Sequence, residues 1–280
     1  MSHGKLVTSY PEVNLILHEV LTGIQPILGD QIIGMYLCGS LTSGSFDRLS
    51  DVDYVVVTKA VLSDDLLAAL DILHQRIASM DIWCATQLEG IYIPQAALRK
   101  YDPIHGLHVL IDRGRGQRLH RMYIADALTS HAWWGGWVLL RENLREHGIT
   151  LTGPDPCNLI SPISAKELQE ASAAILHGWA APLLDNQAEI SSRGYQAYIV
   201  LTLCRILYTL EHASVTSKQI AAKWAQEKLD QRWRPLIEQA WVGRQNPYLQ
   251  AEEEDVNETL DFIRSALARC QLFESIKRNQ

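Results

Sequence analysis

What the chain lacks narrows it first. No two of its five cysteines (Cys38, Cys84, Cys157, Cys204 and Cys270) stand in a CxxC pair, and they are scattered from end to end. That spacing supplies neither a disulfide framework nor a paired-cysteine zinc motif, and reduced thiols in the cytoplasm are expected. No basic segment leads into a long apolar run at residues 1–5, so no secretion signal is expected. No apolar stretch approaches the length of a membrane span. Positive charge is not in excess either: the formal net charge is −7, which gives no global attraction for nucleic acid. Low-complexity tracts and repeats are absent. What remains, 47% hydrophobic and 20% charged over 280 residues, suffices for one large domain or two modest ones.

Apolar residues at Val13, Ile16, Leu17, Val20, Leu21 and Ile24 have helical spacing and predict a helix over 11–28. Residues 32–38 and 51–57 read as buried strands, the second rich in valine. Ser63 reads as the N-cap of a helix through Leu66, Leu67, Leu70 and Leu73, and residues 88–93 as a third strand ended by Pro94. The Gly-, His- and Arg-rich stretch 102–121 has no clear period, and 133–146 is predicted helical. Proline and glycine concentrate over 151–164, which marks a candidate domain boundary. Beyond it nearly everything is helical in period: 165–180, 195–212, 217–228, 232–243 and 252–275. The expected architecture is an α/β (α+β) domain with a small mixed sheet over residues 1–157, followed by an all-α bundle over 158–280.

One segment carries chemistry. It runs Gly39-Ser40, three residues, Gly44, five residues, Ser50-Asp51, one residue, Asp53, and it joins the first two strands. Gly39 permits a tight turn off a strand, where backbone N–H groups and the Ser40 hydroxyl can cradle phosphate oxygens. Asp51 and Asp53 lie two apart on extended backbone, so both carboxylates project to one face. Hard oxygen donors on a rigid edge suit Mg²⁺ beside a triphosphate.

This segment resembles the active-site motif of the DNA-polymerase-β-like nucleotidyltransferases. The resemblance implies that Asp51 and Asp53 hold catalytic Mg²⁺, while Gly39, Ser40 and Ser50 meet ATP phosphates. It also implies a third carboxylate on a following strand. Glu89 supplies one, as the base that deprotonates an attacking hydroxyl or, as in some relatives, as another metal ligand. Asp81 is a rival but precedes the strand.

The helical half is more specific. Ile199 to Tyr208 around Arg205, Thr216 to Ala225 around Lys218, Gly153-Pro154 and Ser161-Pro162 resemble the streptomycin/spectinomycin adenylyltransferases. The resemblance covers nearly the whole chain and is weakest over about 95–150. It implies that Arg205 and Lys218 reach ATP phosphates across an interdomain cleft and that Tyr248 contacts the nucleotide. The chemistry agrees: an arginine in an apolar helical run needs an anion, and a lysine beside a capped helix start suits phosphate.

The acceptor side departs from the family pattern. Trp179 matches a drug-binding tryptophan, but Ser191 and Tyr195 stand where acidic residues are expected. Asp185 and Glu189, in a short insertion, are candidate substitutes. A second drug-stacking tryptophan is missing where 114–118 falls, and Arg113, Arg115, Arg118 and Arg121 would repel a polycation facing them. Trp133, Trp134 and Trp137 could offer an aromatic platform or simply fill core. The expected function is Mg²⁺-dependent transfer of AMP from ATP to the hydroxyl of a small molecule, an aminoglycoside-type antibiotic first, by a cytoplasmic monomer without nucleic-acid or membrane partners. A nucleotidyltransferase acting on a protein, and a nucleotide sensor without catalysis, stay open at this point.

Overall fold

The structure, a computed structural model, describes residues 7–100, 107–111, 118–123 and 131–278. The first apolar period folds as expected: α1 (Pro11–Leu28) buries Val13, Ile16, Leu17, Val20, Ile24 and Leu28 along one stripe. Pro11 opens the helix where a missing N–H is harmless, and Gly29, at φ +52°, ends it. The chain then forms β1 (Ile32–Leu37), β2 (Val52–Thr58), α2 (Asp64–Ala78) and β3 (Leu88–Pro94). Ser63 caps α2 by accepting the Leu66 N–H.

The stretch 102–121, without a period of its own, contributes β4 (Leu107–Ile111) and the start of β5 (His120–Tyr123). After α3 (Gln95–Arg99) and α4 (His131–His147), β6 (Ile149–Thr152) adds an edge strand at the beginning of the Pro- and Gly-rich stretch, followed by α5 (Pro156–Leu159). Strands of four or five residues carry too few alternations to stand out from sequence alone. The six strands form one sheet in the order β5-β4-β3-β2-β1-β6. Among the described residues only β2 and β3 run parallel, so the sheet is mixed.

Alternation along the strands separates core from site. Val52, Tyr54 and Val56 of β2 join Met35, Leu37, Leu88 and Tyr92 in a core that includes the inner faces of α1 and α2. Asp53 and Glu89 therefore project to the opposite face. Within that core His74 Nε2 meets the Tyr92 hydroxyl at 2.6 Å and the Tyr54 hydroxyl at 3.3 Å. Burial pushes the imidazole pKa down to about 4, against the nearby Asp71 charge, so His74 is neutral near pH 7. Tyr54 also dictates position 90, because a Cβ there would stand 2.1 Å from its ring.

The chain divides into two units, Met1–Asp126 with Leu140–Pro162, and Ala127–Leu139 with Ile163–Gln280. The described residues of the second carry the start of α4, then α6 (Ala165–Ile175), a π-helical turn (Leu176–Ala180), α7 (Arg193–His212), α8 (Lys218–Lys228), α9 (Arg234–Gly243) and α10 (Glu253–Arg278). Its central helix, α7, buries Ile199, Val200, Leu203, Cys204, Ile206 and Leu207. Ser164, Ser192 and Ser217 each cap the helix that follows. Gln196 donates from α7 to the Asp255 carbonyl at 2.8 Å and to Thr259 Oγ1 at 3.0 Å, tying α7 to α10 inside the core. All five cysteines are free. Among the described residues no helix is long and apolar enough to cross a membrane.

Candidate active site

The glycine-serine segment lies where β1 ends and β2 begins. The β1–β2 ladder continues one step past β1, with the Cys38 N–H donating to the Asp53 carbonyl at 3.2 Å. On the other side, Asp53 is paired in register with Glu89 of β3. Residues opposite one another across strands share a face, so Cys38, Asp53 and Glu89 form one row across three strands. The Cys38 thiol is buried, and desolvation, then the charges of Asp53 and Glu89, hold its pKa well above the usual thiol range. Asp51 is half-buried and immediately precedes β2. Asp81 is exposed in the bend between α2 and β3 and is not part of the strand ladder.

Gly39 is fixed by two constraints. Its φ is +65°, a region unfavourable to other residues, and a Cβ there would stand 1.9 Å from Asp53 Oδ2. The Asp53 carboxylate thus rests against the glycine turn. The Gly39 N–H donates to Asn143 Oδ1 of α4 at 3.0 Å, and the Thr42 hydroxyl donates to the Gly39 carbonyl at 3.0 Å. Ser40 Oγ is buried and makes no hydrogen bond among the described residues. A buried hydroxyl left without a partner is costly, and an incoming oxyanion could complete its bonding.

The far end of the loop is fastened by aromatic packing. The Tyr10 hydroxyl donates to the Phe46 carbonyl at 2.7 Å, and the two rings meet edge-on at 4.8 Å. Ser50 is already engaged: its hydroxyl donates to Asp47 Oδ1 at 2.8 Å and accepts the Asp47 N–H at 3.1 Å. It shapes the turn that delivers Asp51. The donor set Asp51, Asp53 and Glu89, all carboxylate oxygen on or beside two paired strands, is of a kind that fits Mg²⁺, which takes hard oxygen ligands and keeps several waters.

In the helical unit the structure gathers a different group. Trp179, on the π-helical turn, meets Tyr198 edge-on at 5.7 Å, and Tyr195 stacks on Tyr198 at 6.0 Å. Lys218, the first residue of α8, places Nζ 5.9 Å from the Tyr198 ring centroid. Tyr195 is half-buried, and its pKa is raised chiefly by burial, against a hydrogen bond from Trp179. Arg205 is half-buried on α7. Asp185 and Glu189 are exposed, and Glu189 accepts a hydrogen bond from Asn186 within its own short turn. Tyr248, in the loop after α9, is 95% exposed. Trp137 is buried, whereas the side chains of Trp133 and Trp134 and all of 112–117, with Arg113 and Arg115, lie outside the described residues. Arg121 pairs with Asp64 and donates to the Leu62 carbonyl at 2.9 Å.

Sequence reasoning missed Cys38, Asn143 and Tyr198. Cys38 follows from strand register once Asp53 is placed. Tyr198 is three residues after Tyr195, a helical neighbour spacing. Asn143 is 104 residues from its partner, and nothing local announces it.

Residues 158–269 match the family model described as "Aminoglycoside adenylyltransferase, C-terminal domain". A spectinomycin 9-adenylyltransferase of Campylobacter jejuni is 25% identical over 262 residues, covering 90% of this chain and 94% of that protein. An aminoglycoside (3'') (9) adenylyltransferase of Escherichia coli is 25% identical over 266 residues, covering 92% and 96%. Among solved structures, the spectinomycin adenyltransferase AAD(9) of Enterococcus faecialis, crystallised with ATP and spectinomycin, superposes with a TM-score of 0.67 at 18% identity. That match covers 91% of this chain and 98% of that one, and it shows a shared fold.

Proposed function

We propose that this chain, a relative of the aminoglycoside adenylyltransferases over 90% of its length, is itself an adenylyltransferase. It moves AMP from ATP to a hydroxyl of a streptomycin- or spectinomycin-type antibiotic, releases pyrophosphate, and works as a cytoplasmic monomer. The observation that carries the reading is the row Cys38–Asp53–Glu89 with the Asp53 carboxylate against Gly39. It supports the reading because two carboxylates stand side by side on adjacent strands, next to a glycine turn suited to phosphate.

Glu89 is exposed beside Asp53 and takes the proton from the acceptor hydroxyl. The freed oxygen attacks the α-phosphorus in line, and the bond to pyrophosphate breaks. Asp51 and Asp53, with Glu89 as a third ligand in the alternative role, would hold Mg²⁺, which when bound offsets the negative charge of the triphosphate. The Gly39–Ser40 turn binds phosphate oxygens, with the Ser40 hydroxyl as donor. Ser50 acts through Asp47 and the turn before Asp51. Arg205 and Lys218 are assigned to the triphosphate; Lys218 opens a helix capped by Ser217, a position that favours anions. Trp179 is the proposed platform for the drug, with Asp185 or Glu189 as partner of its cationic groups. Tyr248 is retained as a nucleotide contact on the family resemblance alone.

The test is pyrophosphate release from Mg²⁺-ATP against a panel of aminoglycosides that includes streptomycin and spectinomycin. Asp53→Asn serves as the blank and is expected to lose about 10³-fold or more in turnover with its circular dichroism unchanged. Drug-dependent release, with a mass gain of one AMP on that drug, supports the proposal. Silence across the panel from a protein that binds ATP removes the aminoglycoside from it.

A further inference from the structure

A second set of donor side chains converges within the helical unit. His177 lies on the π-helical turn, and Cys270 and Glu274 are four residues apart on α10, hence on one face. His177 Nε2 is 3.9 Å from Cys270 Sγ and 3.5 Å from Glu274 Oε1, and all three donor atoms lie within 4.8 Å of one another. A tetrahedral zinc ion bound at about 2.0–2.3 Å holds its ligands roughly 3.3–3.6 Å apart, so the two His177 contacts need a contraction of a few tenths of an ångström, and the Cys270–Glu274 pair, within 4.8 Å, one of up to about 1.3 Å through side-chain rotation. Cys270 is buried at the base, while the side chains of His177 and Glu274 are 41% and 33% exposed, which leaves a way in from solvent.

We propose that His177, Cys270 and Glu274 bind a borderline-soft divalent cation, zinc above all, with a water in the fourth position. The mixed nitrogen, sulfur and oxygen set differs in kind from the all-carboxylate set that suits Mg²⁺. Binding through the Cys270 sulfur would release the thiol proton to solvent. The π-helical turn is a sign in the same direction, since such turns recur at functional sites. Its Trp179 faces Tyr198 of α7 while its His177 faces α10, so the cation would brace the turn that carries Trp179.

Co²⁺ titration of the chelator-stripped full chain tests this, because a bound thiolate gives a near-ultraviolet charge-transfer band. One equivalent is expected to produce the band, and Cys270→Ser to abolish it. His177→Ala and Glu274→Gln are expected to weaken Co²⁺ binding at least about tenfold, the loss known from removing even an outer hydrogen-bond partner. These two residues are partly exposed, so their variants keep the test alive if Cys270→Ser fails to fold. Cys38→Ser and Asp53→Asn are expected to leave the band intact. No band in the wild-type protein, a band that survives Cys270→Ser, or wild-type affinity in both other variants would overturn the proposal.

Discussion

Two places in this molecule bring a buried cysteine together with carboxylates, and they are held by different means. At one end of the central strands, Cys38, Asp53 and Glu89 stand in one row because the ladder hydrogen bonds of three strands put them there. In the helical unit, Cys270 and Glu274 share a helix face, but His177 joins them only through the packing of a π-helical turn. The first arrangement is set by backbone register, and a one-residue slip would turn every side chain to the other face. The second depends on side-chain rotamers between helices and can shift by tenths of an ångström. Register therefore suits a constellation that must hold charge in a fixed place, and packed helices suit one that closes on its ligand.

The comparison can be broken most severely at Glu89. Glu89→Gln keeps the strand and its register but removes the base, so kcat should fall about 10²–10⁴-fold while the affinity for ATP, read by calorimetry, stays near wild type. Wild-type turnover in this variant would take the base role away from the row. Next in size is the support behind the strands. His74 is held neutral in the fold with a pKa near 4 against 6.5 when free. Between those values the unfolded chain binds more protons than the folded one, so stability falls as pH drops from about 6.5 to about 4. The loss amounts to about 3 kcal/mol. Denaturant midpoints across that range should fall for the wild type and flatten in His74→Gln.

Gly39→Ala should act on geometry alone. The methyl group meets Asp53 Oδ2 and a backbone at φ +65°, and activity should drop about 10- to 100-fold with the bundle unaffected. Full activity would mean that the carboxylate need not rest on the turn. The smallest effect is expected at Tyr248, which is 95% exposed. Tyr248→Ala should raise the KM for ATP about two- to fivefold, the loss of one aromatic contact, and a KM unchanged from wild type would remove Tyr248 from the nucleotide site.

Much of this was open to reading in the sequence, for reasons that differ by element. The stripe of α1 and the five helical periods after residue 165 appear because long amphipathic segments repeat their signal several times. β4, β5 and β6 do not appear because four or five residues, partly at sheet edges, repeat it once or twice. Gly39, Asp51 and Asp53 are legible because a tight turn and two same-face carboxylates are close in the chain. Asn143, 104 residues from the Gly39 N–H it binds, has no local mark.

The cysteines give the sharpest division. Their spacing excludes a paired-cysteine motif, a conclusion that depends only on positions along the chain. It says nothing of Cys270 meeting His177 across 93 residues, or of Cys38 standing in line with Asp53 and Glu89. The sequence alone determined the helical periods, the strand that carries Asp53 and the residue types available for chemistry, because these follow from local backbone preference and alternation. The tertiary structure alone decided which of those residues meet, because long-range contacts are set by packing and register between elements far apart in the chain.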